Sequence, residues 1–338
     1  MYWIIYITLL LIFFLANLFI GSVNIPFSEI INIILGKGIA ENPETYIVLQ
    51  SRLPAALTAI LGGGSLAVAG LLMQTVFRNP LAGPSIMGIN SGASLGVAMV
   101  MLLSGGVISA GNVFVGGEIA IIMGALGGSF VIMGILLLLS SILRNDLMLL
   151  IAGILLGYLA SSIIMILNYS ASTDGVHSYV MWGMGTFSNV TMARLPVFAS
   201  LIFIGLLISS MLVKPLDALL LGDEYAMNLG INLHRLRQLL LLSTGILAAA
   251  ATAYCGPVSF IGLAVPHIAR FILKTDSHRK LYPMTLMLGS IIALTCNLLC
   301  IIPSMGLIRF ATPSLLPLNA VTPLFGVPVI LYVLLKKR

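Results

Sequence analysis

Long apolar runs separated by short polar turns set the pattern of this chain from its first residues, MYWIIYITLLLIFFLANLFI. A membrane span needs about 20 mostly apolar residues. By that measure the pattern predicts spans near 3–20, 53–73, 84–104, 118–142, 147–168, 195–213, 238–255, 257–272, 283–302 and 317–335. The third is interrupted by Gly and Ser, and the eighth is short and crowded by Pro257 and Pro266. In hydrocarbon every backbone polar group must find its partner within the protein, so runs of this length are read as helices. The expected architecture is all-α, a polytopic bundle of about ten helices forming a single transmembrane domain over 1–338.

The pieces between the runs differ in character. PFSEIINIILG, after the first run, has apolar residues at near-helical spacing with Glu29 on the other side, which predicts a short helix lying on the outer membrane surface. Residues 169–190 form a polar outer loop containing His177 and Trp182. The stretch 214–238, KPLDALLLGDEYAMNLGINLHRLRQ, is too polar to span and reads as two short helices broken at Gly222 and Gly230.

Composition identifies the solvent. Hydrophobic residues make up 59% of the chain and charged residues 8%, with a mean hydropathy of +1.14. A soluble domain carries roughly 25% charged residues, so this chain could not cover itself with polar side chains. The net charge of +6 does not point to nucleic acid, because the basic residues sit at segment ends. With a cytoplasmic N-terminus and ten crossings, Arg78, Arg144, Lys214, Arg235, Arg237, Arg270, Lys274, Arg279, Lys280, Lys336, Lys337 and Arg338 fall inside. Lys37, Arg52, Arg194 and Arg309 fall outside. That asymmetry obeys the positive-inside rule and puts both termini in the cytoplasm. No Lys or Arg precedes the first run and no small-residue cleavage site follows it, so it is read as a retained span. Cys255, Cys296 and Cys300 lie in apolar segments and are read as packing residues, without a disulfide or zinc site. Clustered glycines such as LGGGSLAVAG (61–70) and GALGG (124–128) predict close helix approach.

The tools of an enzyme or motor are absent from the sequence. There is no GxxxxGK[ST] phosphate loop and no HExxH, the four histidines do not pair at metal-ligand spacing, and WGMG at 182–185 reads as a turn. The carboxylates sit at span ends or in loops, so the mid-membrane relay of an ion-coupled carrier is missing. A polytopic protein without motor or relay borrows its energy from a partner, and 214–238 is the natural docking place. The competing class is a stand-alone channel or ion-coupled carrier.

Several stretches carry a resemblance. RLPAALTAILGGGSLAVAGLLMQTVFRNPLAGPSIMGINSGASLG (52–96), LGDEYAMNLGI (221–231), GPVSFIGLAVPHIARFIL (256–273) and LPLNAVTPLFGVPVILYVLL (316–335) resemble the FecCD-type permeases of iron-siderophore, haem and cobalamin ABC importers. The resemblance runs in order over essentially the whole chain. It implies a type II importer permease fold in a bacterial cytoplasmic membrane, working as a homodimer with the pathway along the dimer interface. It also implies two cytoplasmic ATP-binding subunits, an external substrate-binding protein, and no cofactor on this chain, ATP and Mg belonging to the partner. An iron chelate is the expected cargo, siderophore first and haem next, with cobalamin as the alternative.

Residue by residue, the resemblance places an inner gate on Asn79 and Leu81 of RNPLA, and on Asn145 and Asp146. Pro80 removes a backbone donor and Pro84 disfavours helix just before it, so the chain between them must leave helical geometry. From spacing alone a plain cytoplasmic turn explains this equally well. ATPase coupling falls on Asp223, Glu224, Ala226, Leu229 and Gly230, against the alternative of a solvated loop. His267 and Arg270 of PHIAR match the family too, His267 as a packing or interface residue. Three features depart from the pattern. Of the outer arginines that dock the binding protein only Arg52 remains, with Ala55 and Ile301 at the companion positions and Arg309 as a substitute. Leu315 and Leu316 stand where an acidic residue is usual. Gly83 also replaces an acidic residue.

Overall fold

The computed structural model describes residues 2–38, 42–105, 107–110, 113–143, 145–305 and 315–336. Fifteen α-helices are formed by these residues: α1 (Tyr2–Phe19), α2 (Phe27–Ile34), α3 (Pro43–Tyr46), α4 (Leu53–Val76), α5 (Ile89–Ala98), α6 (Gly117–Ile142), α7 (Asp146–Ser170), α8 (Thr173–Gly183), α9 (Leu195–Met211), α10 (Val213–Leu219), α11 (Asp223–Asn228), α12 (Leu233–Cys255), α13 (Ile261–Leu273), α14 (His278–Ile301) and α15 (Leu318–Lys336). Ten of them, α1, α4, α5, α6, α7, α9, α12, α13, α14 and α15, occupy the ten predicted spans. Five are long and apolar enough to cross a membrane by length and composition. The pair α9 and α10, bent by 48°, makes a sixth, and α1, α5, α13 and α15 are shorter apolar helices.

Two predicted spans start late. Helix α5 begins at Ile89 rather than near 84, because Pro84 and the left-handed Gly88 (φ 75°) keep 84–88 in turns. Helix α13 begins at Ile261 after Phe260 at φ 67°. Residues 107–110 and 113–116 pair as a small antiparallel hairpin between α5 and α6, which the apolar pattern did not announce. The expected surface helix is present as α2, with Ile30 and Ile33 packed on Ile25 and Val48 in a satellite cluster. The polar stretch 214–238 forms α10, α11 and the first turns of α12, with breaks at Gly222 (φ 110°) before α11 and at Gly230 (φ 82°) between α11 and α12.

Helix α4 is the axis of the bundle and packs on α12, α13 and α14. Its small residues permit this. A methyl group on Gly70 would lie 1.7 Å from the carbonyl oxygen of Gly262, so α4 and α13 touch backbone to backbone. The α5–α6 crossing is built the same way, with Gly96 against Gly124 and Gly92 against Gly128. Buried polar side chains add hydrogen bonds between helices. Asn297 Nδ2 donates to Asn17 Oδ1 (2.8 Å), and Asn17 Nδ2 donates to the Leu294 carbonyl (3.2 Å), joining α1 to α14. Cys255, Cys296 and Cys300 are buried free thiols.

Candidate functional site

At the end of the bundle where α4 stops and α5 starts, residues 77–88 run without helix. Arg78 takes a left-handed conformation (φ 46°), and the Asn79 side chain then accepts from the Leu81 amide (2.9 Å) in a local turn. The segment folds back onto α13. His267 Nε2 donates to the Pro80 carbonyl (2.7 Å), while Ala82, Gly83, Pro84 and Met87 are buried. Irregular backbone is thereby covered by protein, as an apolar surrounding demands. Leu81 turns outward, 39% exposed, as does Ser85. Gly83 packs closely on α13, where a Cβ would lie 3.0 Å from Leu263 Cδ2.

Three further elements converge on this turn. Arg78 forms an ion pair with Asp223 at the start of α11. Asp146, the first residue of α7, faces Arg237 of α12 with 2.6 Å between Oδ1 and Nη2. Asn145 caps α7 by accepting from the Leu147 amide (2.8 Å). All four charged residues line one pocket of about 30 Å³, together with Thr75 of α4. That volume holds a water molecule and is far too small for a metal chelate. The expected gate residues 79, 81, 145 and 146 and the expected coupling residue Asp223 thus lie at one end of the bundle, bridged by charge.

Helix α11 exposes Glu224 and Met227 and buries Ala226, and Leu229 and Gly230, just beyond its end, are exposed too. With Leu220, Leu221 and Tyr225 they form an exposed apolar surface bearing carboxylates in the first turn of α11. Such patches mark contact sites.

Beside it lies an anchor that sequence reading missed. Asp217 of α10 accepts at Oδ1 from the His278 amide (2.5 Å) and His278 Nδ1 (2.9 Å), and at Oδ2 from Ser277 Oγ (3.0 Å). Burial pushes the Asp217 carboxyl up, but the hydrogen bonds from His278 and Ser277 outweigh it and hold the group below its ordinary value. These partners are 60 or 61 residues apart in sequence, a separation at which no local pattern reports.

At the opposite end the structure corrects one expectation. Arg52 was expected on the outer surface as a docking cation. It is buried instead, its Nη1 donating to the carbonyls of Leu18 (2.9 Å) and Phe19 (3.1 Å) and its Nη2 to that of Val23. The last carbonyls of α1 have no partner within the helix and carry partial negative charge, so they draw the guanidinium inward. Arg194 pairs with Glu118 at this end, another contact not anticipated, and Arg309 lies outside the described residues. The stretch expected as a polar outer loop, 169–190, contains helix α8, and WGMG supplies the last two residues of that helix and the turn after it, with Gly185 at φ 73°. Asn319 Nδ2 of α15 donates to the carbonyls of Gly183 (3.1 Å) and Pro257 (2.5 Å), tying that turn to the end of α12.

The model of the FecCD transport family matches residues 9–336. The chain belongs to the FecCD transport family. Among its relatives, the hemin transport system permease protein HmuU of Yersinia pestis is 33% identical over 294 residues, 87% of this chain and 84% of that protein. The vitamin B12 import system permease protein BtuC of Klebsiella pneumoniae is 32% identical over 331 residues, 98% and 92% of the two chains. A solved metal-chelate type ABC transporter in an inward-facing conformation superposes with a TM-score of 0.80 at 26% identity, covering 98% of both chains. As a FecCD member the chain is a multi-pass membrane permease of an ABC importer, with an all-α type II fold and no catalysis of its own.

Proposed function

We propose that this FecCD permease imports an iron chelate, a ferric siderophore or haem, across a bacterial cytoplasmic membrane with both termini inside. In this reading it is one transmembrane domain that works as a homodimer, receives cargo from an external binding protein and is driven by two ATPases. The observation that carries the reading is the junction of residues 77–88, the start of α7 and α11 through the Arg78–Asp223 and Asp146–Arg237 pairs. A displacement of α11 by a docked ATPase reaches Asn79, Leu81, Asn145 and Asp146 directly, as a rigid-body switch requires. Asp223, Glu224, Ala226, Leu229 and Gly230 are the coupling surface. The exposed apolar side of α7, with Leu147, Ile151, Leu155 and Tyr158, supports a second copy as its cover. The chain itself holds no cofactor.

Cargo identity rests on the relatives, one named for hemin and another for vitamin B12. Competition between labelled ferric chelate, haem and cobalamin in the reconstituted importer ranks the three. The coupling assignment is tested by replacing Asp223 and Glu224 with Ala. Uptake of labelled chelate is expected to stop while membrane insertion is unchanged, and normal uptake in that variant would refute the assignment.

A further inference from the structure

We propose that Asp217, His278 and Thr75 form a hydrogen-bonded strut that carries movement of the ATPase-docking segment to the end of α4, and so to the gate turn. This inference rests on the coupling role proposed for Asp223 to Gly230, but it assigns a part to residues which that reading leaves idle.

Helix α10 is separated from α9 by a 48° bend and leads through 220–222 into α11. Its Asp217 binds the first turn of α14 with both carboxylate oxygens, through Ser277 and His278. His278 is 1% exposed, and its Nε2 lies 2.8 Å from Thr75 Oγ1. In the neutral imidazole Nδ1–H donates to the carboxylate and Nε2 is an acceptor, and the single Thr75 hydroxyl proton is shared between Nε2 and the Leu71 carbonyl (2.9 Å), so the path from carboxylate runs through Thr75 to the backbone of α4. Thr75 sits on the last turn of α4, two residues before the irregular segment 77–88.

The geometry distinguishes this link from the other one. The Arg78–Asp223 pair is half exposed on both sides, 58% and 49%, and exchanges readily with water. The strut is buried at His278 and Thr75, and a buried hydrogen-bonded path resists rearrangement because breaking it strands a polar group. Asp217 and His278 act through Thr75 and are positioning residues; none of the three touches cargo.

The test needs no cargo. The permease carrying Leu81→Cys is labelled there with bimane, the native cysteines being buried. It is co-purified with its ATPase, placed in nanodiscs, and trapped with Mg-ATP and vanadate. The parent protein is expected to change its emission on trapping. Thr75→Val, which removes the hydroxyl and keeps the shape, is expected to lose at least half of that change while ATP hydrolysis stays within twofold. Thr75→Ser restores it. Asp217→Asn is expected to behave as Thr75→Val does, and Thr75→Val decides alone if Asp217→Asn fails to insert. An emission change in Thr75→Val equal to the parent's overturns the strut, as does a parent that shows no change on trapping. Loss of ATPase co-purification in Thr75→Val also overturns it, since the residue then serves docking. Failure of the coupling reading is separate and appears as retained uptake in the Asp223 and Glu224 variant.

Discussion

Helices α4 and α7 have nearly the same length and are both strongly apolar, yet they live in different surroundings. In the most apolar stretch of α4, with mean hydropathy 1.9, 83% of residues are buried; in that of α7, at 2.4, the share is 22%. The more hydrophobic helix is the more exposed one. In water that order would be reversed, because burial follows apolar area. In lipid the tails are as apolar as leucine, and what selects a helix for the centre is how closely its backbone can be approached. Helix α4 carries GGGS and AVAG and accepts α13 and α14 at backbone distance, whereas α7 meets a neighbouring backbone at Gly153 and Gly157, against Met87 and Gly88, and presents Leu, Ile, Met and Tyr over the rest of its surface.

The contrast is broken most forcefully by giving α4 a side chain of the α7 kind. Gly70→Leu would force atoms into the Gly262 carbonyl. The cost is expected to exceed the roughly 3 kcal/mol of ordinary overpacking, with loss of the monodisperse peak in detergent gel filtration. A folded, monodisperse Gly70→Leu protein would contradict the close approach. The reciprocal change, Leu155→Ala on α7, is expected to alter thermal unfolding of the chain by less than about 0.5 kcal/mol. If α7 faces a second copy it also lowers the dimer fraction in cross-linking; an unchanged fraction counts against α7 as the covered face.

The smallest effect sharpens the comparison from a third side. Helix α10 carries no small-residue seam and is held by the buried side chain of Leu216 together with the Asp217 hydrogen bonds. The Asp217 carboxyl is held below its ordinary value on folding. Its contribution is therefore full above the unfolded carboxylate pKa of about 3.9 and is lost as pH falls through the lower folded value. Protection of the α10 amides is expected to fall as pH drops through that range, after an earlier loss at higher pH from His278, whose imidazole is held below its ordinary value by burial. Protection that stays unchanged through the carboxylate range would refute the anchor.

Much of this was legible in the sequence. The ten spans, the surface helix with Ile30 and Ile33 inward, and the breaks at Gly222 and Gly230 follow from run length, periodicity and glycine placement. Those signals are local, and the bundle obeys them because lipid enforces one backbone solution. At the candidate site the sequence indicated the neighbourhood but not the partners. Asn145 as a cap was within reach of a local rule, and the turn at Pro80 was too. The pairings of Arg78 with Asp223, Arg237 with Asp146, and Asp217 with His278 depend on which helices meet, which no single segment encodes. Arg52 was misplaced for a related reason. Its charge argued for the surface, while the carbonyls that draw it inward belong to the end of another helix.

One backbone angle has a wider meaning. Arg78 stands at φ 46°, where an ordinary side chain costs about 1–2 kcal/mol and glycine almost nothing. A chain selected only for durability would put glycine at 78 and relax the turn. It would then have no guanidinium to reach Asp223. Durability and contact pull this position in opposite directions, so a thermostabilised descendant that acquires glycine there gains a quieter turn and loses one of its two links to the segment below.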